Sequence, residues 1–189
     1  VTSDTVFRWA SVSKSVGAHA VLSLAEEGEV ALNDPINTYS TSLKLPKSEE
    51  PLRLGHLLSH QVGLVRNAYD SRIEDGRSAR HTRAKLSELK YLCPPGTCHT
   101  YQNVTYDALS EVVEGQTGLP YKTVIQSQIF DPLGMTSASL TREGLVTSNN
   151  WAHPHGRYGQ RIKGVKETYY RIPAAAGVNS SVKDLATWM

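Results

Sequence analysis

Ser11 and Lys14 stand three residues apart in the run Ser11-Val12-Ser13-Lys14, and Tyr101-Gln102-Asn103 follows roughly ninety positions later. A serine hydroxyl is a poor nucleophile at neutral pH and needs a neighbouring base. Residues three apart on a helix share a face, so the Lys14 amine can meet the Ser11 hydroxyl. Together these groups look like a serine acyl-transfer site, with the hydroxyl as nucleophile and the amine as its base.

The same Ser-x-x-Lys spacing recurs at Ser87 to Lys90 and at Ser180 to Lys183, so setting must separate the three. Ser11 follows a run with strand character (Val6, Phe7, Trp9) and opens a helix whose apolar residues Val16, Ala20, Val21 and Leu24 recur at helical spacing. A hydroxyl there sits near a helix N-terminus, where backbone N–H groups favour developing negative charge. Ser87 and Lys90 fall in a mixed-charge helical segment, which reads as a solvated face. Ser181 and Asp184 have capping-box spacing, which explains the third occurrence without catalysis.

The elements that must position these groups follow from patterning. Residues 1–10 read as an incoming strand and loop, and 11–28 as an amphipathic helix ended by Glu27-Gly28. A short helical turn starts at Asn33-Asp34-Pro35, 39–51 is a polar loop, and 53–60 carry leucines at helical spacing. A loop over about 66–82 precedes a helix to about 91. Asn103 or Thr105 is placed to cap a helix running to Gly115, and Gly118-Leu119-Pro120 starts another ending before Asp131-Pro132. From 136 to 178 the pattern is irregular with short β-like pieces, and Ser180 or Ser181 opens a final helix. That helix shows no C-cap signal before Met189, so a larger α/β protein is expected, of which this chain is part.

Composition narrows the function classes. The 189 residues suffice for one sizeable core or a domain with a subdomain. Twenty basic and eighteen acidic residues give a net charge of +2, too small and too evenly spread for a nucleic-acid footprint. No apolar run reaches the roughly 20 residues of a membrane span. The chain starts at Val1 with no leader-like segment, so localisation has to be inferred indirectly. Cys93 and Cys98 bracket Pro94-Pro95-Gly96-Thr97, a turn that can bring them within disulfide range; two free thiols are the alternative. A disulfide would point to an oxidising compartment. His56 and His60 have the spacing of a zinc helix, but Leu57 stands where the glutamate would be, and structural hydrogen bonds are expected instead. His153 and His155 are loop histidines carried as candidates for supporting the cleft, and no metal is assigned. Taken without Ser11 and Lys14, Tyr101 reads better as a half-buried aromatic and Asn103 as an N-cap, and it is their order and sequence context that reverse the preference.

Phe7-Arg8-Trp9-Ala10-Ser11-Val12-Ser13-Lys14, Leu57-Leu58-Ser59-His60-Gln61-Val62-Gly63-Leu64, Pro95-Gly96, Tyr101-Gln102-Asn103, Pro132-Leu133-Gly134-Met135 and Ala176-Gly177-Val178-Asn179-Ser180-Ser181-Val182-Lys183-Asp184-Leu185 resemble, in this order, the serine β-lactamase and penicillin-binding-protein superfamily. Within it the chain is most similar to the class C β-lactamase branch, which also holds DD-peptidases, D-amino-acid peptidases and family VIII carboxylesterases. The resemblance implies an α/β (α+β) fold of the β-lactamase/transpeptidase type, with an antiparallel sheet flanked by helices plus a mostly helical domain. Residues 1–30 and 151–189 would belong to the first and 31–150 to the second, with the site between them. It further implies Ser11 as nucleophile with its own N–H as an oxyanion donor, and Lys14 as a base that must be neutral. Tyr101 would relay a proton to the leaving group, and Asn103 would bind Lys14 and the substrate's amide. No cofactor is implied.

The superfamily's first strands, and a third motif of the type Lys-Thr-Gly or His-x-Gly on a late strand, fall outside these 189 residues. That strand supplies a second oxyanion donor, and losing one such donor costs about a hundredfold to a thousandfold in rate. Residues 1–189 by themselves are therefore expected to be poorly active, and a missing C-terminal segment to be needed. The expected partners are a small β-lactam, ester or D-Ala peptide substrate, with no nucleic acid and no membrane span. Three activities remain open: a β-lactamase-like or D-Ala-peptide hydrolase, a carboxylesterase, and a penicillin-recognising binding or sensor domain that does not turn over. A periplasmic or secreted location is expected, or a cytoplasmic one for an esterase.

Overall fold

The structure is a computed structural model describing residues 1–39, 41–162 and 164–189. Positions 40 and 163, within the loop expected over 39–51 and the irregular stretch over 136–178, lie outside the described residues. Strand β1 (Val6–Arg8) leads through a 3-10 turn at Ala10–Val12 into α1 (Ser13–Glu26), whose inward face carries Val16, Ala20, Val21 and Leu24. The chain leaves α1 through Gly28 at φ 80°, a left-handed conformation that favours glycine. After a 3-10 turn at Ile36–Tyr39 come α2 (Leu54–Leu58), α3 (Asp70–Glu74) and α4 (Ala79–Lys85). Next are α5 (Ala108–Thr117), α6 (Tyr121–Ile125) and α7 (Arg142–Val146), followed by α8 (Pro173–Ala176), β2 (Asn179–Ser181) and α9 (Val182–Trp188).

The two strands pair antiparallel, Val6 opposite Ser181 and Arg8 opposite Asn179, with helices packed around them. The Trp9 indole donates to the Ser180 carbonyl at 3.1 Å and Ser13 Oγ accepts from the Val178 N–H at 2.9 Å, so the start of α1 is tied to the β2 segment. The main apolar cluster joins Val16 of α1, Leu109 and Val113 of α5 and the alanines of α8. The approach of α1 to α8 requires Gly17, where a Cβ would lie 3.1 Å from the Ala174 carbonyl oxygen and 3.2 Å from the Tyr121 hydroxyl. Pro173 at the first position of α8 supplies a preset φ, and the three alanines behind it are small enough to pack against α1.

A buried charged cluster braces this layer. Arg83 of α4 bonds Asp107 at 2.6 Å, Glu111 at 2.5 Å and the Ser42 hydroxyl at 2.9 Å. Asp107 also accepts the Ala174 N–H at 3.0 Å, and Glu111 accepts the Ser42 N–H and hydroxyl. Burial raises the Asp107 carboxyl to about 7, against the pull of Arg83.

Several elements depart from the sequence pattern. The expected loop over 66–82 contains α3, which has one buried apolar residue, Ile73, and so leaves no periodic trace. The helix after it starts under a Ser78 cap and stops at Lys85, followed by a 3-10 turn at Leu86–Glu88 rather than running to 91. Neither Asn103 nor Thr105 caps α5. The Asn103 amide is engaged elsewhere, Thr105 Oγ1 is enclosed without a partner among the described residues, and the helix begins at Ala108. A π-helical turn at Gln126–Phe130 extends α6. The irregular stretch holds α7, capped by Thr141, as well as α8. Ser181 caps α9 by accepting the Asp184 N–H at 3.1 Å, but Asp184 turns its carboxylate to Ser137 and Ser180, so only half of a capping box forms. Among the described residues no helix is long and apolar enough to cross a membrane.

Removing Arg83 leaves two carboxylates facing each other in the interior. Arg83→Met is expected to lower stability by about 3–5 kcal/mol in urea unfolding followed by circular dichroism. A loss below about 1 kcal/mol would show that the cluster does not depend on the guanidinium.

Candidate active site

Ser11 sits in the 3-10 turn directly before α1, and Ala10 ahead of it holds a left-handed φ of 47°. A non-glycine residue in that region is strained, and strain of this kind persists where the surroundings over-determine it. It turns the exposed Ser11 hydroxyl toward Tyr101, whose phenol oxygen lies 2.6 Å from Oγ. One turn later Lys14 is buried, and its amine has three neighbours: Asn103 Oδ1 at 2.6 Å, the Ala175 carbonyl at 3.0 Å and Ser11 Oγ at 3.5 Å.

The chemistry of those neighbours dictates what the amine can do. The Asn103 carbonyl oxygen and the Ala175 carbonyl can only accept. A neutral amine has two N–H groups and one lone pair, so satisfying both acceptors leaves the lone pair on the Ser11 side. Burial lowers the Lys14 pKa from its ordinary value, while Tyr101, Asp70 and Asp107 act in the opposite direction. No cationic neighbour is needed for the depression, since desolvation is its largest cause.

Tyr101 is held by a clamp that begins just after α2. His60, at φ 57°, lays its ring against Tyr101 at 4.6 Å between centroids and against Tyr106 at 5.0 Å. Its Nδ1 accepts the Gln102 N–H at 3.2 Å, so the ring proton resides on Nε2. Burial, with help from Lys14 and His99, lowers His60 to about 4 and keeps the ring neutral. The backbone of His60–Gly63 takes three N–H bonds from the 92–100 segment, from Leu92, Gly96 and Thr100, each at 2.8 Å. Gly63 makes the contact possible, because at φ 86° a Cβ there would lie 2.3 Å from the Cys93 carbonyl oxygen. Cys93 and Cys98 are joined by a disulfide, Cα atoms 6.3 Å apart, which closes the turn leading into Tyr101.

Ser11, Lys14, Tyr101 and Asn103 are thus brought to one place. His153 and His155 are not: His153 stacks on Trp151 and bonds Arg161, and His155 bridges Arg161 through the backbone. Ser87 bonds the Ala84 carbonyl at the surface, and Ser180 is buried against Asp184. His56 Nδ1 accepts the Arg53 N–H at 3.3 Å. Among the described residues no three His, Cys, Asp or Glu side chains form a metal-ligating cluster. Sequence reasoning missed His60 as a support of Tyr101, Tyr106, whose hydroxyl donates to the Lys14 carbonyl at 2.8 Å, and Asp70, which accepts from the Asn103 amide at 2.7 Å. The left-handed residues His60, Asn67 and Tyr69 carry no sequence mark, since none is glycine.

A family model described as Beta-lactamase matches residues 1–189. The chain is 34% identical over 148 residues to Esterase EstB of Burkholderia gladioli, covering 70% of this chain and 38% of that protein. It is 29% identical over 144 residues to the D-alanyl-D-alanine-carboxypeptidase/endopeptidase AmpH of Escherichia coli, covering 73% and 37%. Among solved structures, the octameric penicillin-binding protein homologue from Pyrococcus abyssi superposes with a TM-score of 0.82 at 26% identity, over 99% of this chain and 44% of that one. The chain therefore spans well under half the length of these proteins.

With Lys14 as base, acylation of the native protein by an activated ester should rise with pH through an apparent pKa below the ordinary lysine value of 10.5. A limb at 10 or above in stopped-flow measurements would remove Lys14 from that role. Gly63→Ala should destabilise by at least about 1 kcal/mol and slow acylation together, because the left-handed turn and the Cys93 contact both resist a Cβ. Unchanged melting and rate would show that the clamp does not place Tyr101.

Proposed function

This chain belongs to the beta-lactamase family, and on that premise we propose that it carries the nucleophile, base and proton relay of a serine hydrolase working through an acyl-enzyme. The observation that carries the proposal is the Lys14 amine, buried and held by two obligate acceptors with its remaining valence toward Ser11. Ser11 Oγ attacks the carbonyl carbon of a β-lactam, ester or D-alanyl peptide as its proton passes to Lys14, the 3.5 Å contact tightening in the substrate complex. The Ser11 N–H, in the first turn of its helical segment, has no intrahelical acceptor and serves as one oxyanion donor. Collapse of the tetrahedral intermediate breaks the bond to the leaving nitrogen or oxygen. The Tyr101 phenol gives that atom its proton and regains one from Lys14. Water then attacks the acyl-serine, and the proton it loses returns Ser11 to its starting state.

With Lys14 on Oδ1 and Asp70 on Nδ2, Asn103 keeps one amide N–H and one lone pair to bind an acylamino group on the substrate. Likeness to an esterase and a peptidase, with membership of the beta-lactamase family, supports ester, amide and lactam carbonyls as the class. The Cys93–Cys98 disulfide supports a periplasmic or secreted setting. Completion of the cleft is assigned to residues beyond this chain, which spans 37% and 38% of those relatives.

Intact-protein mass spectrometry of the native protein with a penicillin, from seconds to hours and beside Ser11→Ala, tests the proposal. A covalent adduct on the wild type alone is expected. Decay of the adduct as penicilloate accumulates would mark a β-lactamase, and persistence a penicillin-binding peptidase or sensor. Absence of an adduct with penicillin and with short-chain aryl esters alike would overturn the serine-hydrolase assignment.

A further inference from the structure

An asparagine amide is nearly symmetric in shape and opposite in function at its two ends, so its partners decide which end faces the base. At Asn103 the two partners are Lys14, 2.6 Å from Oδ1, and the Asp70 carboxylate, 2.7 Å from Nδ2. Flipping the amide would turn Oδ1 toward a carboxylate and Nδ2 toward the lysine. A neutral Lys14 would then satisfy Nδ2 by accepting from it, through the lone pair that otherwise faces Ser11. The flipped amide would therefore silence the base while every atom stayed almost in place.

We propose that Asp70 is a positioning residue for acyl transfer: by accepting from Asn103 Nδ2 it fixes the amide so that Oδ1 takes an N–H of Lys14 and the amine's lone pair stays on Ser11. The role rests on the serine-hydrolase assignment above. Three features of Asp70 support it. It lies in the first turn of α3, yet neither of its oxygens bonds a backbone N–H of that helix. Its second oxygen, Oδ1, is enclosed without a partner among the described residues, which leaves the bond to Asn103 as its side-chain contact. A half-buried carboxylate with one enclosed, unsatisfied oxygen is unfavourable for stability, and groups of that kind call for an explanation. Burial raises the Asp70 carboxyl above the usual range, with the Asn103 bond and Lys14 acting against it and Glu74 alongside it.

Asp70 also acts on Lys14 through charge. The groups facing that amine are the Tyr101 and Tyr106 rings at 4.7 and 5.5 Å, His60, Asp70 and Asp107. Asp70 is among those that favour the ammonium form, so removing its charge lowers the lysine pKa further. The acid limb of the acylation rate should then move to lower pH.

Two variants of the native protein separate positioning from mere structure. Asp70→Leu removes both charge and acceptor, and its acylation rate by a penicillin or aryl ester should fall about tenfold to a hundredfold, the usual weight of one charge-assisted hydrogen bond. Asp70→Asn keeps an oxygen that can accept from Asn103 Nδ2. It should restore most of the rate at the plateau while its acid limb lies at lower pH than in the wild type. Wild-type-like rate and limb in a folded Asp70→Leu would overturn the positioning role. Should that variant fail to fold, an unmoved limb in Asp70→Asn would overturn it as well. Failure of the wild type to acylate would instead sink the serine-hydrolase assignment, a result distinct from either.

Discussion

A primary amine enclosed by protein must either give up its proton or find partners for its charge, and Lys14 is the group around which this structure is arranged. The desolvation that depresses its pKa would be wasted on an amine free to rotate, because a lone pair without direction is a poor base. Direction comes from the Asn103 oxygen and the Ala175 carbonyl, one carried on the turn after Tyr101 and the other on α8. The orientation of the amine is therefore defined by two elements distant in sequence that converge on a third.

That convergence explains features of the fold with no chemistry of their own. Ala175 reaches the amine because α8 lies against α1, and the close approach needs both Gly17 and the alanine run behind Pro173. The position of α8 is set in turn by the Ala174 N–H bonding Asp107, whose other oxygen is held by Arg83. A buried arginine bridging two carboxylates contributes little net stability compared with apolar packing, and its value lies in fixing geometry. The tie between α4, α5 and α8 ends one residue from the carbonyl that orients the base.

The sequence shows the reacting atoms more clearly than the groups that hold them. Ser11 and Lys14 are legible because helical spacing alone brings them together, and β1, α1 and α9 because their apolar spacing or cap signals are local. Asp70 and His60 are not legible in this way. Each acts on a residue more than thirty positions away, and each depends on a left-handed backbone at or beside it, at His60 and at Tyr69, that no glycine announces. The misplaced start of α5 has the same origin. Asn103 is a good capping residue by type, but the pull of Lys14 and Asp70 on its amide outweighs the helix N-terminus, which begins five residues later behind Asp107. Local preference yields where a side chain is claimed by a site.

In the proposed mechanism Ser11, Lys14 and Tyr101 act only on what lactams, esters and peptides share: a carbonyl carbon, its oxygen and the atom that departs. They do not weigh equally on the three classes. An amide nitrogen leaves only once it is protonated, whereas an aryl oxide departs readily as the anion, so the relay proposed for Tyr101 would matter most where the leaving atom is nitrogen. A strained lactam lies between, since ring opening assists the break but the nitrogen must still be neutralised. In the proposed mechanism the Tyr101 phenol, 2.6 Å from Ser11 Oγ and with the Lys14 amine beside it as the proton source, would serve the most demanding of these cases and leave the site competent for the easiest. Choice among them must then fall to groups that contact the parts in which the substrates differ, and the second N–H of the Asn103 amide, left over by Lys14 and Asp70, is placed in the proposed mechanism to be one of these.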